Sequence, residues 1–170
     1  MKLQGSVPGA GAGVAVQILT KACGFTGPIP VGSTKTTAGG KYEYALQPML
    51  NSALSAQVGQ TASRPIPIHV SPTVQLRRVG ASRFGVDVSA GNGAWFTKPV
   101  LLQRLDPGSK RWRKIASAPL EASSDPGALT STSSATIKAK VKKGTQLRAF
   151  VPQSTVGPCY LPATSPAITG

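Results

Sequence analysis

Acidic residues are nearly missing from this sequence. Of its 170 residues only 5 are Asp or Glu, against 19 Lys and Arg, so the formal net charge is +14. Catalysis by paired carboxylates needs two acids at one site. The acids available for it are Glu43, Asp87, Asp106, Glu121 and Asp125. Asp106 and Asp125 each precede a proline in a turn-like sequence, so turn formation explains both better than catalysis does.

Histidine and cysteine are equally scarce. The one histidine, His69, has no acid near it in the sequence, and no G-x-S-x-G segment supplies a nucleophile, so we interpret His69 as a side chain at a domain junction. One His and two distant Cys form no close-spaced set of metal ligands. The sequence therefore predicts no catalytic residue, no metal and no cofactor.

Long apolar runs are also missing. No segment approaches the roughly 20 apolar residues that a membrane span needs, and residues 1–25 contain no uninterrupted apolar core of a secretory signal. Residues 3–7 nevertheless alternate like a strand. We therefore expect the fold to begin inside a domain, with a leading edge strand and an export signal upstream of Met1.

The residues that are present favour many short strands. Gly (19) and Pro (15) are scattered between apolar runs, and helical apolar spacing is repeatedly interrupted. Apolar residues alternate with polar ones in several segments, which predicts strands with one buried face. Three inward rows are Tyr42, Tyr44 and Leu46; Phe84, Val86, Val88 and Ala90; and Ile137, Ala139 and Val141. Turns are expected at Gly39-Gly40, Asn92-Gly93 and residues 106–108.

Two features suggest chemistry but have simpler explanations. The glycines of residues 9–13 precede a β-patterned segment rather than a helix, so a flexible connection explains them better than a phosphate loop does. Trp95, Trp112 and Tyr160 could stack on sugars or bases, and only Trp112 lies in a basic run, residues 110–114. Packing in or beside the core is the favoured role of all three.

An internal repeat predicts two domains, residues 1–70 and 71–170. The pattern V-x-x-Q-x-L occurs at Val14 and again at Val100, and Leu54-Ser55-Ala56-Gln57-Val58 matches Leu147-Arg148-Ala149-Phe150-Val151. Each of the latter segments is followed by a Ser and a Pro-containing strand, beginning at Ser63 and Ser165. The matched segments occur in the same order in both copies, but the number of residues between matched positions grows along the chain. The second copy therefore has longer loops, and the chain is not a fixed-period solenoid.

The second copy has the strand pattern of a sandwich. Strands are predicted near 73–78, 83–90, 99–105, 111–117, 135–141, 146–152 and 165–169. Seven short strands with such turns favour the immunoglobulin or fibronectin type III architecture. The predicted fold class is all-β, with two tandem β-sandwich domains of this kind, the first lacking its leading edge strand.

Several segments resemble the tandem immunoglobulin-like segments of secreted or surface proteins from high-GC Gram-positive bacteria. They are Lys21-Ala22-Cys23-Gly24, Gly39-Gly40, Gln103-Arg104, Lys143-Gly144-Thr145-Gln146-Leu147-Arg148-Ala149 and Gly157-Pro158-Cys159-Tyr160-Leu161. They are turn and core residues, so the resemblance implies a fold and an exported location but no reaction.

The second domain carries most of the excess charge. Fourteen Lys and Arg face four acids there, against five and one in residues 1–70. Strand parity places five bases outward on one sheet, which makes them candidates for anion binding: Arg77, Arg83, Lys138, Lys140 and Lys142. The alternative is a solvated basic surface that keeps the protein soluble and prevents edge aggregation.

The two cysteines are predicted to form a disulfide. Successive strands of such a sandwich run antiparallel, so the turn that holds Cys23 lies at the exit end of the first domain. The turn that holds Cys159 lies at the entry end of the second. These ends meet when domains follow one another, and we expect an interdomain Cys23–Cys159 bond formed in an oxidising compartment. Two separate thiols are the alternative.

The sequence favours a non-enzymatic extracellular or cell-envelope module that acts as a spacer, in adhesion or in ligand recognition, without a membrane span and as a monomer. The partner would be an anionic cell-wall polymer, a polysaccharide or another surface protein. A strict polyanion binder, using the basic face of the second domain, is the alternative function, and an enzyme is the third. Nucleic acid is disfavoured, because no groove-entering helix or stacking aromatic pattern is present.

Overall fold

The computed structural model is nearly all β, which confirms the predicted class, and it describes residues 1–91, 93, 95–121 and 130–170. The chain divides into two compact units, Met1–Val70 and Ser71–Gly170, whose bounds coincide with those of the predicted domains. Asn92 of the predicted Asn92-Gly93 turn and the turn residue Asp125 lie outside the described residues.

The first unit contains two antiparallel sheets. Its strands are β1 (Lys2–Ser6), β2 (Ala15–Ala22), β3 (Ile29–Lys35), β4 (Lys41–Ala45), β5 (Ser52–Val58), β6 (Thr61–Ala62) and β7 (Ile66–Ile68), with a short 3-10 helix at Ala38–Gly40. One sheet pairs β1 with β4; the other has the order β3-β2-β5, and β6 and β7 pair with successive parts of β5.

The core of the first unit is small. Leu3, Val16, Ile18 and Ala56 are buried in it, and partly buried hydrophobic residues pack against them, including Tyr42, Tyr44 and Leu46. The inward row predicted along and just after β4 is therefore confirmed, and Lys41 and Glu43, which alternate with its members, are exposed.

The glycine-rich residues 9–13 connect β1 to β2, as predicted. The buried Thr36 holds this connection, because its hydroxyl donates to the Gly11 carbonyl (2.7 Å) and accepts from the Val14 N–H (2.9 Å). Gly9 and Gly13 have φ of 74° and 91°, which only glycine adopts readily.

The second unit also contains two antiparallel sheets. Its elements are β8 (Thr73–Gly80), β9 (Arg83–Ala90), β10 (Pro99–Leu105), β11 (Trp112–Pro119), β12 (Ser131–Lys138), β13 (Gln146–Val151), α1 (Gln153–Val156), β14 (Ala163–Thr164) and β15 (Ile168–Thr169). Among the described residues, one sheet has the order β12-β9-β8. The other has the order β11-β10-β13, with β14 and β15 on the far edge of β13.

The core of the second unit follows the predicted alternation. On β9 the side chains of Phe84, Val86 and Val88 are fully buried and Ala90 is nearly so. They face fully buried residues of the other sheet, among them Val100, Leu102, Leu147 and Val151. Strand β9 therefore supplies the centre of this core.

Two predicted strands differ from the observed ones in their bounds. β12 spans 131–138 rather than 135–141, because the Ser and Thr residues before Ala135 pair along β9; Thr132 and Ser89 join their hydroxyls at 2.8 Å. Ala139 and Val141 are consequently only half-buried beyond the strand. The strand predicted at 165–169 is two short strands, because Pro166 has no N–H to continue the ladder.

The repeat is visible in the backbone hydrogen bonds. In each unit a serine N–H donates to an alanine carbonyl, Ser63 to Ala56 (2.8 Å) and Ser165 to Ala149 (3.0 Å). The alanine N–H donates in turn to the serine Oγ, at 3.0 Å and 2.9 Å. Strands β5 and β13 therefore match in the register that the sequence predicts.

The match of β2 with β10 differs from the predicted one. Ile18 of β2 and Leu102 of β10 pair with Ala56 and Ala149. Directly after each of them, the pairing with the other neighbouring strand skips one residue of that strand, Val31 of β3 or Ile115 of β11. Val100 therefore corresponds to Val16 and not to Val14, so the V-x-x-Q-x-L pattern was aligned two residues out of register.

Candidate functional site

Exposed bases for which no ion pair is found among the described residues lie on and beside the sheet formed by β8, β9 and β12. Arg83 of β9 and Lys138 of β12 are cross-strand partners in the antiparallel pair, and both are exposed. Because side chains alternate along a strand, Phe84 and Ile137 point inward while their neighbours Arg83 and Lys138 point to solvent.

Lys140 joins these two residues although it lies beyond β12. The Ala139 N–H donates to the Ser82 carbonyl at 3.0 Å, which holds the chain after β12 beside the start of β9. Arg83, Lys138 and Lys140 then line an open depression of about 350 Å³ together with Ser82 and Ala139. We call Arg83, Lys138 and Lys140 the basic cluster.

Arg77, another predicted anion-binding residue, is already neutralised. Its guanidinium forms an ion pair with Asp87 of β9, and Asp87 also accepts a hydrogen bond from the Ser134 hydroxyl (2.8 Å). Since Arg77 is more than half exposed, this pair contributes little to stability. It does, however, remove one positive charge from the predicted anion site.

Lys142 is exposed as predicted but does not line the depression. It lies in the turn before β13, where its carbonyl accepts from the Thr145 hydroxyl (2.6 Å) and from the Thr145 N–H (3.2 Å). The structure therefore brings three of the five predicted residues together and leaves Arg77 and Lys142 apart from them.

Arg78 is a basic residue of this region that strand parity misses, since it has the same parity as the inward Val74 and Leu76. It is exposed, and its guanidinium donates to the carbonyls of Gly80 (3.2 Å) and Ala81 (2.9 Å) in the turn between β8 and β9. The paired Arg77-Arg78 next to a hairpin turn is the sequence signal that could have indicated it.

The aromatic candidates are packed into the second unit. Trp95 is buried and meets Tyr160 edge to face, with ring centroids 5.4 Å apart. The Trp112 ring lies under the Arg148 guanidinium, 4.4 Å from its centroid, and Arg148 Nε donates to Gln103 at 2.8 Å. Burial lowers the pKa of Arg148, which stays cationic at neutral pH.

The acidic side chains among the described residues accept hydrogen bonds in turns or form ion pairs on strand surfaces. Asp106 accepts from the N–H groups of Gly108 and Ser109, both at 3.0 Å, and pairs with Arg113. These backbone bonds lower the pKa of Asp106, and its turn role is confirmed. Glu43 of β4 pairs with Lys2 of β1 at 2.7 Å and accepts from Gln4 at 2.7 Å.

His69 is exposed and lies one residue beyond β7. Within the described part of the chain, no three His, Cys, Asp or Glu side chains form a cluster that could hold a metal ion. The same part of the chain contains no helix with the length and apolar character of a membrane span.

The predicted disulfide between Cys23 and Cys159 is present. Cys23 directly follows β2, and its N–H donates to the Asn51 carbonyl at 2.8 Å. Cys159 lies in the segment between α1 and β14, where Gln153 Nε2 donates to the carbonyl of the adjacent Tyr160 at 3.0 Å. Each cysteine is thus set in a hydrogen-bonded turn.

Comparison of the chain with protein-family models, curated proteins and solved structures finds no match. The strand order, the basic cluster and the disulfide are therefore the features of the chain that bear on its function.

Proposed function

We propose that the chain is a non-enzymatic extracellular or cell-envelope module made of two immunoglobulin-like domains, residues 1–70 and 71–170, as in the bacterial surface segments that it resembles. The strand order of the second unit is the observation that best supports the proposed immunoglobulin-like fold. Lettered along the chain, β8, β9 and β12 correspond to strands A, B and E, and β11, β10, β13 and β14 to C′, C, F and G. This division is the one expected of an immunoglobulin-type sandwich.

The first unit supports the same assignment. Its sheet β3-β2-β5 with β6 and β7 repeats the order of β11-β10-β13 with β14 and β15. Its other sheet pairs β1 with β4, as β9 pairs with β12. The counterpart of β8 is the strand that this unit lacks among its described residues.

The disulfide supports the extracellular part of the proposal, because disulfides persist in oxidising compartments and are rare in reducing ones. A thiol-labelling experiment on fractions of the producing cells tests it. We expect the protein in the envelope or culture fluid with both cysteines protected from labelling. Recovery of the protein from the cytoplasm with two reactive thiols would overturn the proposal.

A second candidate function, polyanion binding, is favoured by the basic cluster. Three exposed cations line one depression, and Asp87, the acid on the same sheet, is held by Arg77 and Ser134. Contacts to sulfate, phosphate or uronate groups release counterions, so affinity should fall steeply with salt. Retention of the protein on heparin or on isolated wall polymer at two salt concentrations tests this function.

A further inference from the structure

Arg148 of β13 is held in one orientation on the outward face of the sheet that contains β11, β10 and β13. Its sequence neighbours Leu147 and Ala149 are fully buried, so the Arg148 side chain points away from the core. Its guanidinium carbon lies 4.4 Å from the centroid of the Trp112 ring, and its Nε donates to Gln103 Oε1 at 2.8 Å. A guanidinium fixed by these two contacts loses little side-chain entropy when a ligand binds it.

The two terminal nitrogens of this guanidinium, Nη1 and Nη2, make no hydrogen bond or ion pair to any residue that the structure describes. Arg148 is nevertheless partly buried, and burial lowers its pKa. Partial burial of a cation without an acidic partner costs free energy. Nη1 and Nη2 lie in one plane and match the two oxygens of a carboxylate, so a bound carboxylate would offset this cost.

The strands of this sheet contain no acidic residue of their own. β10, β11, β13, β14 and β15 all lack Asp and Glu. On β10, Gln103 pairs with Arg148 on one side and with the exposed Lys114 of β11 on the other, so these three residues form a row across three strands. We call Arg148, Gln103 and Lys114 the donor row. Because all three side chains carry N–H groups, the row can bind an anion that also has hydroxyl acceptors.

An apolar pair adjoins the donor row on the same face. Leu101 and Phe150 are cross-strand partners, each two residues along its strand from Gln103 or Arg148, and both are partly exposed. Two residues along a strand span about 7 Å. A ligand whose carboxylate binds Arg148 would therefore lie with its neighbouring atoms against this apolar pair.

The pairing of the strands limits the kind of ligand that fits. β10 is paired on both sides, with β11 and β13, and β13 is paired with β10 and with β14 and β15. A peptide strand therefore cannot add to these two strands through its main chain. The donor row spans about 10 Å across three strands, whereas a stable protein partner would need about 800 Å² of surface. Recognition by side chains over so small an area suits a rigid ring that carries a carboxylate and hydroxyl groups.

We propose that this face binds a hexuronate unit of an acidic polysaccharide, whose carboxylate accepts hydrogen bonds from Nη1 and Nη2 of Arg148. Gln103 and Lys114 would donate to the ring hydroxyls, and the C–H face of the ring would lie against Leu101 and Phe150. The inference rests on the proposed function only in taking the chain to be a module that recognises an extracellular ligand.

This site differs from the basic cluster in position and in its response to salt. The basic cluster lies on and beside the other sheet of the second unit. One carboxylate held mainly by one guanidinium gives a shallow dependence of affinity on salt, whereas several anionic contacts give a steep one. The site should therefore add little to the salt-sensitive retention on heparin that is assigned to the basic cluster.

A trimer of galacturonate without sulfate groups is the probe, and the same trimer with its carboxyls methyl-esterified is the control. Trp112 is the fluorescent reporter, because its ring contacts the guanidinium, whereas Trp95 is buried. We expect the trimer to change the emission of the full-length protein and to bind at least tenfold more tightly than its ester. Trp112→Phe should remove the emission change. Equal binding of trimer and ester, or no binding at millimolar concentration, would overturn the proposal.

Two variants test the role of the guanidinium. Arg148→Lys keeps the charge but removes the planar pair of donors, so it should weaken binding of the trimer at least tenfold. Gln103→Glu keeps the shape of the side chain but gives Arg148 a carboxylate partner, and it should abolish binding. Circular dichroism must match that of the wild type, and the wild-type titration with trimer and ester keeps the proposal testable if a variant does not fold. Unchanged affinity in both folded variants would contradict the proposal.

The variant with Arg83, Lys138 and Lys140 replaced by Gln is the matched control, and it should bind the trimer as the wild type does. Loss of trimer binding in this variant, with binding retained in Arg148→Lys, would assign the uronate to the basic cluster. That result would refute the site at Arg148 and would leave polyanion binding standing. A tetraglutamate peptide that binds as tightly as the trimer and depends equally on Arg148 would show a carboxylate site without selectivity for sugars and would also contradict the proposal.

Discussion

Arg83 and Lys138 lie directly opposite each other on β9 and β12, with both side chains exposed. Like charges in this arrangement repel, and Lys140 beside them adds a third positive charge. A bound polyanion would relieve this repulsion.

The first prediction concerns the basic cluster. Replacing Arg83, Lys138 and Lys140 by Gln should abolish salt-sensitive retention on heparin and should reduce the slope of log affinity against log salt by roughly one for each lost contact. The free energy of unfolding should change by less than about 0.5 kcal/mol, because all three side chains are on the surface.

The matched control for this variant replaces Lys21, Lys35 and Arg64 by Gln, which removes the same charge from exposed positions of the first unit. It should retain most of the binding. Equal losses in the two variants would show that net charge, and not the basic cluster, causes retention.

The ion pair between Arg77 and Asp87 leads to a second prediction. Arg77→Gln should weaken retention on heparin, because it leaves the Asp87 carboxylate unpaired next to the basic cluster. Asp87→Asn should strengthen retention, because it frees Arg77 next to the basic cluster. Elution salt concentrations of the two variants provide the measurement, and weaker retention by Asp87→Asn would contradict the assignment.

Ser63 and Ser165, which bond to alanines of β5 and β13, should contribute unequally to the free energy of unfolding. Ser165 is 5% exposed, so Ser165→Ala leaves the Ala149 N–H without its acceptor and should cost about 1–3 kcal/mol. Ser63 is exposed, and water can replace its Oγ, so Ser63→Ala should cost less. Urea unfolding of both variants tests the order, and a larger loss for Ser63→Ala would refute it.

The carboxyl of Glu43 should titrate below its ordinary pKa of 4.5, because it accepts hydrogen bonds from Lys2 and then from Gln4. Since the pKa is lower in the folded state, the stabilisation is fully present above about pH 4.5 and is lost as the pH falls through the folded-state value. In an NMR titration Lys2→Gln should raise this pKa, whereas Lys21→Gln should not. An unchanged midpoint in Lys2→Gln would exclude the pair as the cause.

The disulfide should contribute about 3–5 kcal/mol to the free energy of unfolding, because it closes a loop of more than about 100 residues in the unfolded chain. The double variant Cys23→Ser, Cys159→Ser should lose this amount in urea unfolding, and reduced wild type should behave like the variant. Thiol titration of the oxidised wild type under denaturing conditions should find no free sulfhydryl. Two free sulfhydryls there would contradict the bond.

Alternation of apolar residues predicted the buried rows of the fold well, since Phe84, Val86 and Val88 of β9 are all fully buried. It could not fix the match of β2 with β10, because a shift of two residues leaves the alternation unchanged. The pairing of Ile18 with Ala56 and of Leu102 with Ala149 shows that the predicted match was two residues out of register.

The candidate site, too, could be predicted from the sequence only in part. Parity placed Arg77 and Arg83 on one face, but only the register of β8 with β9 brings Asp87 within reach of Arg77. Likewise the contact of Ala139 with Ser82 adds Lys140 to the basic cluster, and no sequence pattern indicates a contact between two loop-proximal residues so far apart in the chain.

The positions of the two cysteines also set an order of events during biosynthesis. At roughly 5–20 residues per second, the ribosome needs roughly 7–30 s to extend the chain from residue 23 to residue 159. Throughout that interval Cys159 has not yet been synthesised, so the bond to Cys23 cannot form. Closure of the Cys23–Cys159 bond therefore marks a chain that has been synthesised at least through residue 159.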